Sequence, residues 1–193
     1  MVVTIFSTKG GVGKTSLSYS IAKDLGCKYI TNDFSMAVNS FSNGSQAKHV
    51  KKNIPLYKDA LYDFGGFEDK NVDLIIGKSD LLIVPVIADI NSIMKALQNI
   101  SKFKKTRILV VGNMVENDKD KLVIQTSIEK YFPNIELLFF RKSRLLRNSL
   151  EEKLSATEMF KLSGKNKYLY RNAYQDYRAI MSVVKSVRDE VER

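Results

Sequence analysis

The chain has 193 residues, the size of one domain with a sizeable core. Its 44% hydrophobic and 27% charged residues are ordinary for a globular protein and exclude a disordered chain. The longest apolar run, Leu81 to Ala88, is far short of the about 20 residues that span a bilayer, and the opening Met1-Val2-Val3-Thr4-Ile5-Phe6 has no basic n-region or cleavage site of a signal peptide. One cysteine, Cys27, excludes an intrachain disulfide, a Cys-rich zinc site and a cluster ligated within one chain. One histidine, His49, excludes a His-pair metal site, so a cytosolic protein is expected.

Strand-like and helix-like segments alternate along the chain. Val2–Ser7, Lys28–Asn32, Asp59–Asp63, Leu81–Ile87, Arg107–Asn113 and Ile135–Phe140 read as strands. Several are rich in Val, Ile and Leu on both faces, as strands covered by helices on both sides of a parallel sheet are. Lys14–Leu25, Asn71–Lys78, Asn91–Lys102 and Asp118–Tyr131 read as helices between them. The order predicts βαβ units with right-handed crossovers, hence an α/β fold with a doubly wound, mostly parallel sheet flanked by helices. Ser155-Ala-Thr-Glu158 is a capping-box pattern that opens a short helix, and Ser163-Gly164-Lys165-Asn166 is expected to break it. A last helix over Lys167–Glu192 is expected to bury a stripe of Ala173, Tyr177, Ile180, Val184, Val187 and Val191. Without repeats or a low-complexity linker, residues 1–193 read as a single domain.

Between the first strand and the first helix lies Ser7-Thr8-Lys9-Gly10-Gly11-Val12-Gly13-Lys14-Thr15-Ser16. Strand, glycine turn and helix N-terminus are the context a phosphate loop needs. The glycines let successive N–H groups curl inward onto phosphate oxygens, and the helix adds its positive dipole end. In such a loop Lys14 reaches the β and γ phosphates and the Thr15 hydroxyl ligates Mg²⁺.

Lys9-Gly-Gly-Val-Gly-Lys14-Thr15 resembles the deviant Walker A motif of the ParA/MinD ATPases, whose signature is the first lysine. The resemblance covers nearly all of the chain and implies a P-loop NTPase fold. It assigns nucleotide binding to Lys9, Gly10, Gly11, Val12, Gly13, Lys14, Thr15 and Ser16, with ATP and Mg²⁺ as the ligands. Ala60-Leu61-Tyr62-Asp63-Phe64-Gly65-Gly66 is similar to the family's Walker B strand, which makes Asp63, with Thr15, the metal residue; a turn Asp at a strand end is the plainer reading. Ser79-Asp80 to Val86 looks like a further family strand whose role is structural. Asn113, closing the next strand, stands where the family often sets an Asn against the adenine edge; a cap or turn Asn fits the position equally. The family's Asp-x-Asp-Pro motif is met only by Thr31-Asn32-Asp33-Phe34-Ser35. Asp33 replaces either the second Asp, which positions the attacking water, or the first, which leaves Ser35 in the catalytic place. The first register is preferred, because ligand sites form at strand carboxyl ends. The catalytic residues implied are Lys9, Lys14 and Asp33. Lys9 would cross to the nucleotide of a second subunit, so ATP would hold an isologous homodimer.

The charge points to a polyanion. Lys and Arg number 31 against 21 Asp and Glu, for a net charge of +10, and residues 141–178 hold ten basic and four acidic side chains. A solvated face is the bland alternative. The chain resembles the short plasmid-type ParA proteins, which implies DNA segregation. The ATP dimer would bind DNA non-specifically, and a ParB-like centromere-binding protein would stimulate a slow hydrolysis, so the chain is expected to be cytoplasmic and nucleoid-associated. Arg141, Lys142, Arg144, Arg147, Lys165, Lys167 and Arg171 are the candidate DNA contacts, expected on one face. The rival is a MinD- or FlhG-like membrane-positioning ATPase. It is disfavoured because the tail Ser186–Arg193 has three acids and only Val as its apolar element.

Overall fold

The computed structural model describes residues 1–33, 37, 41, 47–50, 54–66 and 70–193. In chain order the elements are β1 (Val2–Ser7), α1 (Lys14–Leu25), β2 (Lys28–Thr31), β3 (Ala47–His49), β4 (Ala60–Gly65), α2 (Lys70–Ile76), β5 (Leu81–Val86), α3 (Ile90–Lys102), β6 (Ile108–Val115), α4 (Asp118–Glu129), β7 (Glu136–Arg141), α5 (Leu145–Glu151), α6 (Ala156–Lys161) and α7 (Gly164–Val191). The strands form one seven-stranded sheet in the order β3-β2-β4-β1-β5-β6-β7, and every pair is parallel.

Successive side chains of a strand point to opposite faces, and both faces here are covered. Val3 and Ile5 of β1 pack on one side with Leu17 and Ile21 of α1, Leu145 of α5 and Tyr177, Ile180 and Val184 of α7. Val2 and Phe6 pack on the other with Ile75 of α2, Ile93 and Ile100 of α3 and Ile124 and Ile128 of α4. All six residues of β1 and of β5 are buried, as expected for central strands between two helical layers. Truncating Ile83, wholly buried on β5, to Ala would cost about 2–5 kcal/mol.

The chain reverses direction across the sheet beside β1. It crosses from β1 to β2 and β3 at one edge, returns to insert β4 between β2 and β1, and continues from β5 outward to the other edge. In open α/β sheets the carboxyl ends at such a switch point leave a crevice in which ligands bind. The Ser79-Asp80 stretch before β5 acts at the opposite end. The Asp80 carboxylate accepts the Val2 N–H at 2.6 Å, and the Ser79 and Thr4 hydroxyls are hydrogen-bonded at 2.7 Å, so this motif fastens β5 to β1.

Three features depart from the sequence reading. The edge strand β3 lay in a polar stretch with no alternation to reveal it. Ser163-Gly164-Lys165-Asn166 starts a helix: the Ser163 hydroxyl accepts the Asn166 N–H at 3.1 Å, and α7 begins at Gly164. Val191 is 47% exposed and ends the buried stripe one turn early, at Val187. The capping box of α6 forms as expected, with Glu158 N–H donating to the Ser155 hydroxyl at 3.0 Å and Ser155 N–H to the Glu158 carboxylate at 2.7 Å.

Candidate functional site

The loop from Ser7 to Lys14 sits at the carboxyl end of β1. Gly11 and Gly13 adopt left-handed conformations, φ 77° and 81°, which side-chain-bearing residues rarely take. At Gly13 a Cβ would also run into the Asn113 side-chain amide. Gly13 caps α1 with no side-chain hydrogen bond, and the first turn holds no acidic residue. The free N–H groups of that turn and the positive end of the dipole therefore face the loop unneutralised.

Lys14 closes the loop over itself. Its ammonium donates to the Lys9 carbonyl at 3.1 Å. The side chain runs so close over Gly65 of β4 that a Cβ there would lie 3.0 Å from Lys14 Cε. Burial pushes the ammonium down from its ordinary value, and the charges of Asp63 and Asp33 push it back. Lys9 is half-buried, its N–H donates to the Ser7 hydroxyl at 3.2 Å, and its ammonium makes no ion pair among the described residues.

Asp63 is 1% exposed, and its Oδ2 accepts the Tyr29 hydroxyl at 2.6 Å. Burial raises its carboxyl above the usual range, while hydrogen bonds from Tyr29 and Thr15 and the Lys14 charge act against that rise. Asp33 is exposed beyond β2, and its N–H donates to the Thr31 hydroxyl at 3.0 Å. Its charge acts on Lys14. Ser35, the residue of the other register, lies outside the described residues. Asn32 gave no signal in the sequence. Its amide donates to the Gly65 carbonyl at 3.3 Å and accepts the Gly65 N–H at 3.1 Å, which joins the ends of β2 and β4 beside Lys14.

Asn113 lies at a register shift of β6 between Gly112 and Val115, where Met114 has φ 56°. Irregularities of this kind re-aim a side chain. Asn113 is buried, its Nδ2 donates to the Val12 carbonyl at 2.7 Å, and its Oδ1 accepts the Met114 N–H at 2.9 Å. The amide thus ties the phosphate loop to the end of β6.

The residues fit a magnesium–nucleoside triphosphate. The loop holds a desolvated lysine, a buried Thr8 hydroxyl without a hydrogen-bond partner, and glycines Gly10 and Gly11 beside which a Cβ would meet open space. Thr15 and Lys14 both act on the Asp63 carboxylate. Among the described residues no group of three His, Cys, Asp or Glu side chains could hold a metal ion by itself.

The expected basic face divides. Arg141 is held by Asp176 through two guanidinium contacts of 2.6 and 3.1 Å, Lys142 by Glu116 at 2.6 Å and Arg147 by Glu151 at 2.8 Å. Arg144, Lys165, Lys167 and Arg171 are exposed and make no ion pair among the described residues. Arg141 ends β7 and Lys142 follows it, so the seven do not form one uniform surface.

A parallel sheet wound in both directions, with a glycine loop and a lysine at its switch point, defines a P-loop nucleotide-binding protein. A family model described as the CobQ/CobB/MinD/ParA nucleotide binding domain matches residues 3–155, and the chain belongs to that family. Comparison with curated proteins gives no match. Among solved structures, apo McdA of Cyanothece is 12% identical with a TM-score of 0.72, over 95% of this chain and 98% of that one. MinD of Aquifex aeolicus is 16% identical with a TM-score of 0.61, over 94% and 97%. A Borrelia burgdorferi B31 protein described as a plasmid partition protein, bound to AMPPNP, is 15% identical with a TM-score of 0.58, over 92% and 98%. At these identities the likeness shows the fold.

Proposed function

We propose that this chain is a DNA-segregation ATPase that binds Mg-ATP, pairs with a second copy and binds DNA without sequence preference. A ParB-like centromere-binding partner then stimulates hydrolysis and releases the DNA. The observation that carries this reading is the pair of lysines on one loop: Lys14 is spent inward over the phosphate seat, while the Lys9 ammonium is unpaired and available to a triphosphate across a twofold axis.

Lys14, the loop amides from Gly10 to Gly13 and the Thr15 and Ser16 N–H groups bind the phosphates. Thr15 and, through water, Asp63 would hold Mg²⁺, which would supply positive charge against the triphosphate. Tyr29 fixes one Asp63 oxygen by its hydroxyl. Asp33 orients the water that attacks the γ phosphorus; its charge acts on Lys14, which supports a place for it at the nucleotide site. Lys9 of each subunit neutralises charge on the other's nucleotide, so hydrolysis loosens the dimer and the nucleotide works as a switch.

The membrane-positioning alternative draws no support from α7. Its apolar stripe from Ala173 to Val187 is already buried against the body, and no described helix is long and apolar enough to cross a membrane. The test is an anisotropy titration of random duplex DNA with Mg-ATP and with Mg-ADP at several salt concentrations. Tight, salt-sensitive binding with ATP and weak binding with ADP is expected. No DNA binding with ATP at low salt, together with binding to anionic vesicles, overturns the reading.

A further inference from the structure

We infer that the surface that meets DNA is one edge of α7, formed by Lys167, Arg171, Arg178 and Lys185 with Lys161 of α6 beside it, and not the Arg141–Arg147 segment. The inference rests on the partition reading above and names its DNA-binding surface.

The argument starts from helical spacing. Lys167, Arg171, Tyr174, Arg178, Ser182 and Lys185 follow one another by four, three, four, four and three residues, which keeps them on one side of a helix. At 1.5 Å per residue the row from Lys167 to Lys185 is about 27 Å long, and it could follow about eight base pairs of a duplex. Its four cations and Lys161 are exposed, and none makes an ion pair among the described residues. Asp176 is two residues from Arg178, and residues two apart do not share a side of a helix. Arg141 is bound to Asp176, so it lies against the other edge of α7. Asp176, Glu116 and Glu151 neutralise Arg141, Lys142 and Arg147.

The free edge is also shaped. Arg178, Ser182 and Lys185 join Lys161 around a cavity of about 430 Å³ between α7, α6 and the end of α1. Its one carboxylate, Asp24, accepts the Thr157 hydroxyl at 2.7 Å and the hydroxyl of the fully buried Tyr177 at 2.8 Å. Three cations against one tied carboxylate leave the concavity positive, with the Ser182 hydroxyl among its donors. A backbone phosphate seats there with charge-assisted contacts, and phosphate contacts carry no sequence information. Tyr174, stacked on Phe160 with ring centroids 4.0 Å apart, stiffens the helix edge between Arg171 and Arg178.

The test is duplex binding by the full chain with Mg-ATP at several salt concentrations. For Arg178→Ala/Lys185→Ala the slope of log K against log salt should flatten by about 1.8 per subunit, at about 0.9 for each phosphate no longer neutralised, with nucleotide affinity unchanged. Arg178→Lys should keep the wild-type slope, and Arg144→Ala/Arg147→Ala should move it by less than the value of a single phosphate. If wild type binds but the α7 pair keeps its slope, or the Arg144/Arg147 pair loses it, the surface assigned here is wrong while the partition reading stands. If wild type itself does not bind DNA, both fall.

Discussion

Replacing Asn113 with Ala removes two buried hydrogen bonds at once: the donor to the Val12 carbonyl at 2.7 Å and the acceptor for the Met114 N–H at 2.9 Å. A buried group left unpaired costs about 1–3 kcal/mol, so the variant should lose about 2 kcal/mol of stability. For a chain of this size that lowers Tm by about 4–8 °C. If nucleotide re-forms the loop on binding, its affinity carries about 1–2 kcal/mol of that cost, a loss of about 5- to 30-fold. Calorimetric titrations with ATP, ADP and GTP separate two roles for this residue. A side chain that positions the loop lowers affinity for every nucleotide by a similar factor, because the phosphates are common to all. A side chain that reads the adenine edge lowers ATP and ADP and spares GTP. The hydrogen bonds predict the first result. A selective loss of adenine nucleotides, or an unchanged Tm, would refute the argument.

Two further outcomes are expected. Lys9→Ala should bind ATP but neither dimerise nor hydrolyse it, whereas Lys14→Ala should lose binding by about 100-fold or more, since it removes charge-assisted bonds to two phosphates; light scattering with a non-hydrolysable analogue reads the first and calorimetry the second, and a Lys9→Ala protein that dimerises normally contradicts the cross-subunit role. Cys27 is 4% exposed, and burial, aided by the Asp59 charge, pushes its thiol up to about 12, so at pH 8 its thiolate fraction is on the order of 10³ lower than that of a free cysteine, and alkylation should require unfolding. The native chain holds that proton where the unfolded one releases it, so between about pH 8.5 and 12 this group should remove about 1.4 kcal/mol of stability per pH unit; denaturant titrations of wild type and Cys27→Ala across that window check the sign, and equal pH slopes would overturn it.

The layered α/β fold was legible because its signals are strong and local. β1 and β5 are buried on both faces, helical segments alternate with the strands, and the glycine loop falls between β1 and α1. The bounds of α1 matched to the residue, since Gly13 and Gly26 mark its ends with left-handed backbone. β3 was hidden because a three-residue edge strand has too few residues to show alternation. The start of α7 was misplaced because Ser163-Gly164 serves equally as a break and as a cap, and only the Asn166 N–H on Ser163 decides between them. The distribution of charge was the least legible. A net excess over residues 141–178 counts cations without their partners, and three of the seven candidates are neutralised by Glu116, Glu151 and Asp176, two of them far apart in sequence from the cations they hold.

The loop's shape is not a property of its glycines alone. Gly11 and Gly13 permit the left-handed turns, but each fixed point comes from another strand end. Asn113 of β6 holds Val12, Gly65 of β4 makes room for Lys14, and Asn32 after β2 clamps Gly65 by both sides of its peptide. These ends converge because β4 inserts between β2 and β1, which pairs Thr31 with Asp63 and Ile5 with Asp63 in register. The same insertion brings the Tyr29 hydroxyl to Asp63 from one side and Lys14 from the other. Asp33 is adjacent in sequence to Asn32, whose amide holds the Gly65 peptide against which the Lys14 side chain packs. The switch point therefore positions the loop through contacts from three neighbouring strand ends.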